Sequence, residues 1–193
     1  DKETLKKYSK GLICTSACPA GELAAALIDG NMEEARKTAK RFYDVFGEDY
    51  YLEVQRHNYE EHIHSQMDPQ IQQEQQKMVQ YEKAINEGVL KLSREMGIPI
   101  VATNDAHYLN KEDAEAQDVL VCVATGKLVS DIKRIRFIDT PEYYVKSTEE
   151  MQELFEDLPE AIENTVKVAD KCNFTHSTLG KWFFPKFPVP RGL

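Results

Sequence analysis

The residues of this sequence best suited to chemistry are Asp105 and His107, which follow a short apolar run. That run, Ile98–Ala102, lies between Gly97 and Asn104 and is uncharged, which is typical of a parallel strand buried on both faces. Residues two apart in an extended chain project to the same side, so a carboxylate and an imidazole would lie together, as in a metal site. The pattern fits equally a strand that ends in a turn, with Asp105 capping the turn and His107 exposed.

Two other predicted strands also end beside residues that could do chemistry. The run Gly11–Ser16 is followed by Cys18, and the run Tyr50–Gln55 is followed by His57. In α/β folds the carboxyl ends of parallel strands meet at one edge, where binding and catalytic groups are placed. We therefore expect these two strand ends to converge with the end of Ile98–Ala102.

Apolar spacing and helix-end signals predict the elements that position these groups. Asp68 precedes Pro69 as a helix start, and Ser147 with Glu150 forms a capping box. The predicted helices are 22–28, 32–46, 69–96 (one long helix or two), 111–125, 147–156 and 160–171, and the predicted strands are 11–16, 50–55, 98–102 and 142–146. Alternation of strands and helices without internal repeats predicts an α/β fold with a parallel sheet.

The composition excludes several classes of protein. A formal charge of −9 leaves no basic face for nonspecific duplex binding. No run approaches the ~18 apolar residues of a membrane span, and the N-terminus is not a signal peptide. Cys14, Cys18, Cys122 and Cys172 are scattered, which predicts reduced thiols and a cytoplasmic protein. All except Cys18 lie on predicted apolar faces and are expected in the core.

Seven ordered blocks carry a further signal. They read G-L-I-C-T-S-A-C-P-A-G-E, Y-Y-L-E-V-Q-R-H, I-P-I-V-A-T-N-D-A-H-Y, Q-D-V-L-V-C-V-A-T-G-K, E-Y-Y-V-K-S-T-E-E-M, L-P-E-A-I-E-N-T and F-F-P-K-F-P-V-P, at 11–22, 50–57, 98–108, 117–127, 142–151, 158–165 and 183–190. In this order they resemble the PHP (polymerase and histidinol phosphatase) domain of the bacterial replicative polymerases, the DNA polymerase III α-subunit family. The resemblance covers nearly the whole chain.

The resemblance implies the C-terminal portion of a distorted (β/α)7 barrel with a metal cluster at the carboxyl ends of its strands. Three ligand positions of the family match Cys18, Asp105 and His107, whose donor atoms suit zinc or a similar divalent ion such as manganese. Glu53 and His57 would lie near this site and could orient the ligands, although a structural ion pair accounts for Glu53 equally well. The resemblance assigns no catalytic residue.

The resemblance also divides the chain. The expected parts are a barrel portion at 1–140 with a polar insertion at 58–80, the end of the domain with connecting helices at 141–179, and a proline- and aromatic-rich linker toward the polymerase palm at 180–193. The family's first motifs have no counterpart here, because the chain begins near the middle of the barrel, as a fragment would. We interpret His62 and His64 as solvated residues of the insertion. In the linker, Phe183, Phe184 and Phe187 are expected to pack against adjoining domains.

For a complete α subunit the resemblance implies a DNA-directed DNA polymerase, a nucleotidyltransferase that uses magnesium in DNA replication. Its partners would be DNA, the remainder of the α subunit and other replisome subunits, with no membrane contact. For the PHP region it implies either a metal-dependent 3′–5′ exonuclease or a non-catalytic scaffold that docks a separate exonuclease subunit. A stand-alone phosphatase is disfavoured by the blocks at 142–151 and 183–190. The chain by itself is expected to be inactive.

Overall fold

A parallel sheet of three strands organises the molecule. The computed structural model describes residues 2–63, 68–175 and 180–186. The strands are β1 (Cys14–Thr15), β2 (Tyr50–Gln55) and β3 (Ile100–Thr103), they lie in the order β1-β2-β3, and both neighbouring pairs are parallel. The predicted α/β fold with a parallel sheet is therefore confirmed, with strands somewhat shorter than the predicted runs.

Helices make the crossovers that parallel strands require. The helices in chain order are α1 (Lys2–Lys7), α2 (Glu22–Ile28), α3 (Met32–Phe46), α4 (Tyr59–Ile63), α5 (Pro69–Met96), α6 (Ala114–Thr125), α7 (Thr148–Leu154) and α8 (Pro159–Lys171). α2 and α3 connect β1 to β2, and α4 and α5 connect β2 to β3. This alternation places β2 in the centre, where all six of its residues are buried.

α5 is a single helix of 28 residues, the first of the two predicted alternatives. It begins after Asp68, whose side chain accepts a hydrogen bond from the Gln70 amide at 2.8 Å, with Pro69 in the first turn. It ends at Gly97, which adopts a left-handed φ of 67° that a side chain would strain. A helix of this length extends about 40 Å, so α5 reaches beyond the ends of the short strands that it covers.

One apolar core lies between the sheet and helices α2, α3, α5 and α8. Leu52, Leu92 and Phe155 have no exposed surface, and burial of one such side chain stabilises the fold by about 1.5–3 kcal/mol. The buried core residues are Leu23, Ala24, Ala26, Leu27, Ala35, Ala39, Tyr50, Leu52, Val54, Ile85, Val89, Leu92, Ile98, Ile100, Ala102, Phe155, Leu158 and Ala161. The outer edge of β3 is covered by α8, where the buried Asn164 donates its side-chain amide to the Ile100 carbonyl at 2.7 Å.

Two predictions about local structure are wrong. The expected strand at 142–146 is reduced to one parallel bridge between Tyr144 and Tyr108. The carbonyls of residues 142 and 144 instead accept hydrogen bonds from the side chain of Asn104 at 2.9 and 2.7 Å, so they are not available to a continuous ladder. Cys172, expected in the core, is exposed after the end of α8, whereas Cys122 is buried as predicted.

A buried ion pair fixes the segment that follows α6. Asp118 on α6 binds both terminal nitrogens of Arg134, at 2.8 and 2.6 Å, and its carboxylate also accepts the Phe137 amide at 3.2 Å. The side chains of Asp118 and Arg134 are only 4% and 1% exposed. Burial alone would raise the pKa of Asp118, but the hydrogen bonds and charge of Arg134 outweigh it and hold the pKa below its ordinary range.

We predict that Asp118→Ala lowers the free energy of unfolding by about 3–5 kcal/mol, because it leaves the Arg134 guanidinium buried without a counter-charge. Urea unfolding followed by circular dichroism measures the change. The matched control is Glu95→Ala, which removes the Arg36–Glu95 pair, whose side chains are 45% and 36% exposed. That control should cost less than about 1 kcal/mol. Equal losses in the two variants would contradict the structural role of the buried pair.

Candidate functional site

Each strand of the sheet is followed by a residue with a left-handed backbone. Ala17 follows β1 with a φ of 66°, Asn58 follows β2 with a φ of 49°, and Asp105 follows β3 with a φ of 48°. Apart from glycines, these are the positive-φ residues within the described ranges. This conformation is costly for a residue with a side chain, and it concentrates at functional sites where the surrounding structure enforces it. The three strand ends therefore form the candidate site.

Glu53 joins the three strands at these ends. One of its carboxylate oxygens accepts the backbone N–H of Ala17 at 2.6 Å, and the other accepts the Thr103 hydroxyl at 2.8 Å. The Glu53 amide in turn donates to the Ser16 hydroxyl at 2.8 Å. Both carboxylate oxygens thus hold the loop after β1 and the last residue of β3. These bonds of Glu53 are structural, and a role for it in orienting metal ligands stays a prediction.

His57 is buried and bonded on both ring nitrogens. Its side chain is 2% exposed, and its Nδ1 and backbone N–H both contact Glu82 Oε2, at 2.9 and 3.0 Å. Its Nε2 lies 3.3 Å from the carbonyl of Asn104, and its ring stacks on Tyr143 with a centroid distance of 4.4 Å. Because both nitrogens face oxygen acceptors, His57 is held in one orientation between α5 and the end of β3.

The side chains of Asp105 and His107 lie together as expected, although Asp105 has a left-handed backbone and not the extended one from which that expectation was argued. Asp105 Oδ1 lies 3.6 Å from His107 Nε2, and their side chains are 32% and 41% exposed, so solvent reaches both. The backbone N–H of His107 donates to the Tyr143 carbonyl at 2.7 Å. The His107 ring packs against Phe137 at 4.6 Å and against Tyr143 at 5.8 Å. These contacts position His107 while leaving the carboxylate and imidazole open to a ligand.

Tyr143 connects the buried and exposed histidines. Its ring lies between those of His57 and His107, and its hydroxyl is hydrogen-bonded to that of Tyr59. Burial raises the pKa of Tyr143 to about 12, and burial together with the charge and hydrogen bond of Tyr143 raises that of Tyr59 as well. Both hydroxyls therefore stay protonated at neutral pH and act as hydrogen-bonding groups rather than as charges.

Cys18 lies beside Glu53 and His57. It lines a cavity of about 20 Å³ with both of them and with Glu82, a space large enough for one water molecule. Within residues 2–63, 68–175 and 180–186, no group of three or more His, Cys, Asp or Glu side chains is arranged to hold a metal ion. Cys18 therefore does not complete a three-ligand site with Asp105 and His107. Metal binding by these residues stays a prediction, and the described side chains alone do not make a complete site.

Sequence reasoning missed the charged cluster around Glu142. This carboxylate is buried, and it binds Lys111 at 2.8 Å, Lys146 at 2.9 Å and the ring of His62 at 3.1 Å. The interpretation of His62 as a solvated residue is therefore wrong. His64 lies outside the described residues. The four-residue spacing of Glu142 and Lys146 was the available signal, but it does not reveal that α4 brings His62 to the same carboxylate.

The two lysines of the cluster keep the Glu142 carboxylate ionised. Burial would by itself raise the pKa of Glu142, but hydrogen bonds from Lys111 and Lys146 outweigh it and hold that pKa below its ordinary value. The Lys146 side chain is only 5% exposed, so it depends on Glu142 for its counter-charge. Glu142 directly precedes Tyr143 in sequence, and the cluster therefore fixes the segment that positions His107.

We predict that Glu142→Gln lowers the free energy of unfolding at neutral pH by about 3 kcal/mol, because Lys146 loses its counter-charge. The folded-state pKa of Glu142 is lowered, so its contribution is present above the ordinary glutamate pKa of about 4.3 and is lost as pH falls through the folded value. The stability gap between native chain and variant should therefore shrink at acid pH. Urea unfolding across pH measures it, with the exposed Glu112→Gln as control. A gap that stays constant down to about pH 3 would contradict this assignment.

No helix within the described ranges is long and apolar enough to cross a membrane.

The chain is similar to known proteins over nearly its whole length. A PHP domain profile matches residues 1–57, which include β1, β2 and His57. The chain is 43% identical over 190 residues to the DNA polymerase III subunit alpha of Borreliella burgdorferi, covering 98% of this chain and 15% of that protein.

Two further relatives carry the same name. The protein of Treponema pallidum is 39% identical over 191 residues, covering 98% of this chain and 14% of the relative. That of Pseudomonas aeruginosa is 37% identical over 196 residues, covering 100% of this chain and 15% of the relative. The chain thus spans about 15% of the length of the curated relatives that it matches. It is homologous to the PHP region of the DNA polymerase III α subunit.

Proposed function

We propose that this chain acts as the PHP module of a replicative DNA polymerase α subunit, and that its strand-end network is a scaffold within that polymerase. The whole protein would be a DNA-directed DNA polymerase, a nucleotidyltransferase that uses magnesium in DNA replication. Its partners would be DNA, the remainder of the α subunit and other replisome subunits, including a separate exonuclease subunit docked on the PHP region. The match of nearly the whole chain to one part of these relatives supports this assignment.

One observation carries the scaffold role: most of the acidic and imidazole groups at the strand ends are already bonded within the chain. Both oxygens of Glu53, both ring nitrogens of His57 and the carboxylate of Glu142 have partners on other elements. A buried group with all its hydrogen bonds made contributes rigidity and specificity. Groups bonded in this way hold neighbouring elements in place and are not free to bind a substrate, which favours the scaffold role.

A second function, a metal-dependent 3′–5′ exonuclease, is favoured by the Asp105–His107 pair. This pair is partly exposed, and the backbone of its first member, Asp105, is strained. Carboxylate oxygen and imidazole nitrogen are donors that zinc and manganese accept. Cys18 does not join the pair within the described residues, so this function requires donors from elsewhere in a longer protein. Such donors would come from the earlier strands of a distorted (β/α)7 barrel.

Metal loading and nuclease activity of the purified chain separate the two functions. We predict that after dialysis the chain retains no stoichiometric zinc or manganese by elemental analysis. Neither metal should raise its melting temperature, and the chain should not digest a 3′-mismatched primer. This follows because two donors hold a divalent ion weakly, whereas structural zinc takes four ligands. Primer extension should equal the blank, because the polymerase active site is proposed to lie in other domains.

The matched variants are Asp105→Asn, which removes one donor, and Asp170→Asn, which changes an exposed aspartate at the end of α8. Under the scaffold role the two variants behave like the native chain in both assays. Tight zinc together with nuclease activity that Asp105→Asn abolishes and Asp170→Asn retains would establish the exonuclease and reject the scaffold as the sole function.

A further inference from the structure

Helix α6 turns an apolar side toward solvent. The residues that it buries recur every four positions and are Ala114, Asp118 and Cys122. The opposite side carries Val119, Leu120 and Val123, which are 44%, 62% and 77% exposed and lie within about 100° of the helix circumference. Together with the exposed Ala116 and Ala124 beside them, these residues make up the outer face of α6.

This arrangement is the reverse of an ordinary surface helix, which buries apolar residues and exposes charged ones. The inner side buries the charged Asp118 because Arg134 binds it at 2.8 and 2.6 Å. On the outer face, residues three and four positions apart are neighbours, so the apolar side chains form one continuous patch and are not scattered singly. Leu109 and Leu128, which precede and follow the helix, are exposed as well. A continuous apolar patch on a protein surface marks a site of interaction.

The outer face has no charged or hydrogen-bonding side chain, since it consists of alanine, valine and leucine. The charged residues of α6 are Glu115 and Asp118, both acidic, and the helix contains no lysine or arginine. A nucleic acid or an anionic membrane surface is bound through basic side chains, so neither fits this face. The surface that fits is apolar and uncharged.

A second copy of the chain is disfavoured as the partner. Each copy has a formal charge of −9, and net charges of one sign oppose association. An exchangeable subunit is also disfavoured, because exchangeable interfaces are about as polar as the rest of a protein surface. Uniformly apolar interfaces are typical of permanent contacts, which resemble a domain core cut in half.

The occupant that remains is another part of the same polypeptide. The chain spans about 15% of the length of the curated relatives that it matches, so a protein of that length would have most of its residues outside this chain. A contact within one polypeptide is permanent, and it forms without the loss of overall freedom that separate molecules undergo on association. We propose that another domain of the polymerase packs on the outer face of α6 through an apolar, uncharged surface.

The proposed interface rests on the scaffold function and identifies the surface through which the scaffold acts. Asp118, on the inner side of α6, binds Arg134 and accepts the Phe137 amide at 3.2 Å. Phe137 in turn packs against His107. A domain docked on the outer face would therefore be connected through α6 to the surroundings of His107.

Footprinting compares the 193-residue chain with the full-length polymerase polypeptide that contains it. A photoactivated diazirine labels exposed aliphatic side chains, and mass spectrometry locates the label. Labelling of the outer face should fall about fivefold or more in the full-length protein, because the core of an interface excludes solvent and reagent alike. The matched control is Val166, which is 58% exposed on α8 beside the exposed Glu163 and Asp170, and which should be labelled equally in both proteins.

Leu120→Asp tests the same contact through stability. Its matched control is Val166→Asp, which introduces the same residue at an exposed apolar position of another helix. In the 193-residue chain the two variants should unfold at the same urea concentration and keep the circular dichroism spectrum of the native chain. In the full-length polymerase, Leu120→Asp alone should lower the apparent melting temperature, because its carboxylate would be buried at the interface without a partner.

Primer extension by the same full-length preparation separates the interface from the polymerase assignment. Equal labelling of the outer face in the two proteins, or a full-length Leu120→Asp as stable as Val166→Asp, would overturn the interface even where primers are extended. Protection of the face in a protein that extends no primer would keep the interface and reject the polymerase. Sedimentation of the 193-residue chain covers the remaining occupant: a dimer that Leu120→Asp dissociates would assign the face to a second copy and overturn the proposal.

Discussion

The carboxylate of Glu53 is the interaction on which the strand ends depend. A parallel sheet leaves the backbone of each strand end and of the following loop without ladder partners. Glu53 supplies one of these partners from the central strand, since one of its oxygens accepts the backbone N–H of Ala17 after β1. Its other oxygen accepts the side-chain hydroxyl of Thr103, the last residue of β3. Its own burial is tolerated because both oxygens are bonded. The positions of Ala17 and Thr103 therefore follow from one side chain on β2.

The strained backbone after each strand follows from the same constraint. Left-handed conformations at Ala17, Asn58 and Asp105 turn the chain sharply where a strand must stop. Each costs of order 1–3 kcal/mol and persists only where surrounding contacts determine it. At Ala17 that contact is the bond to Glu53, and beyond Asp105 it is the bond between the His107 amide and the Tyr143 carbonyl. The backbone that carries the partly exposed Asp105–His107 pair is thus held rigidly by these contacts.

Aromatic contacts and buried ion pairs together fix the surroundings of His107. Tyr143 packs against both His57 and His107, while the Glu142 cluster holds the segment from which Tyr143 projects. Asp118 and Arg134 hold the preceding segment, which carries Phe137 against His107. The surroundings of His107 are therefore assembled from three distant parts of the chain. The rigidity of that assembly suits a scaffold as well as a binding site.

Most of the fold could be predicted because its signals are local. Pro69 and Gly97 mark the ends of α5, and Ser147 with Glu150 makes the reciprocal bonds of the predicted capping box. The apolar runs of β2 and β3 also identify buried strands. The prediction of a strand at 142–146 was wrong because strand propensity does not reveal the hydrogen-bond partners of a backbone. In this segment the side chain of Asn104 donates to the carbonyls of residues 142 and 144. Cys172 was misplaced for a related reason: it comes directly after Lys171, the last residue of α8, and the local sequence does not reveal where the surface that covers this helix ends.

The sequence by itself determined the strand–helix order, the similarity to the PHP region and the placement of Asp105 beside His107, because all three depend on short-range spacing. Only the tertiary structure decided that both oxygens of Glu53 are bonded, that His57 is buried against Glu82, and that His62 reaches Glu142. It also separated Cys18 from the Asp105–His107 pair within the described residues. These outcomes join residues 20 to 80 or more positions apart, and their partners are selected by packing of whole elements rather than by any local pattern.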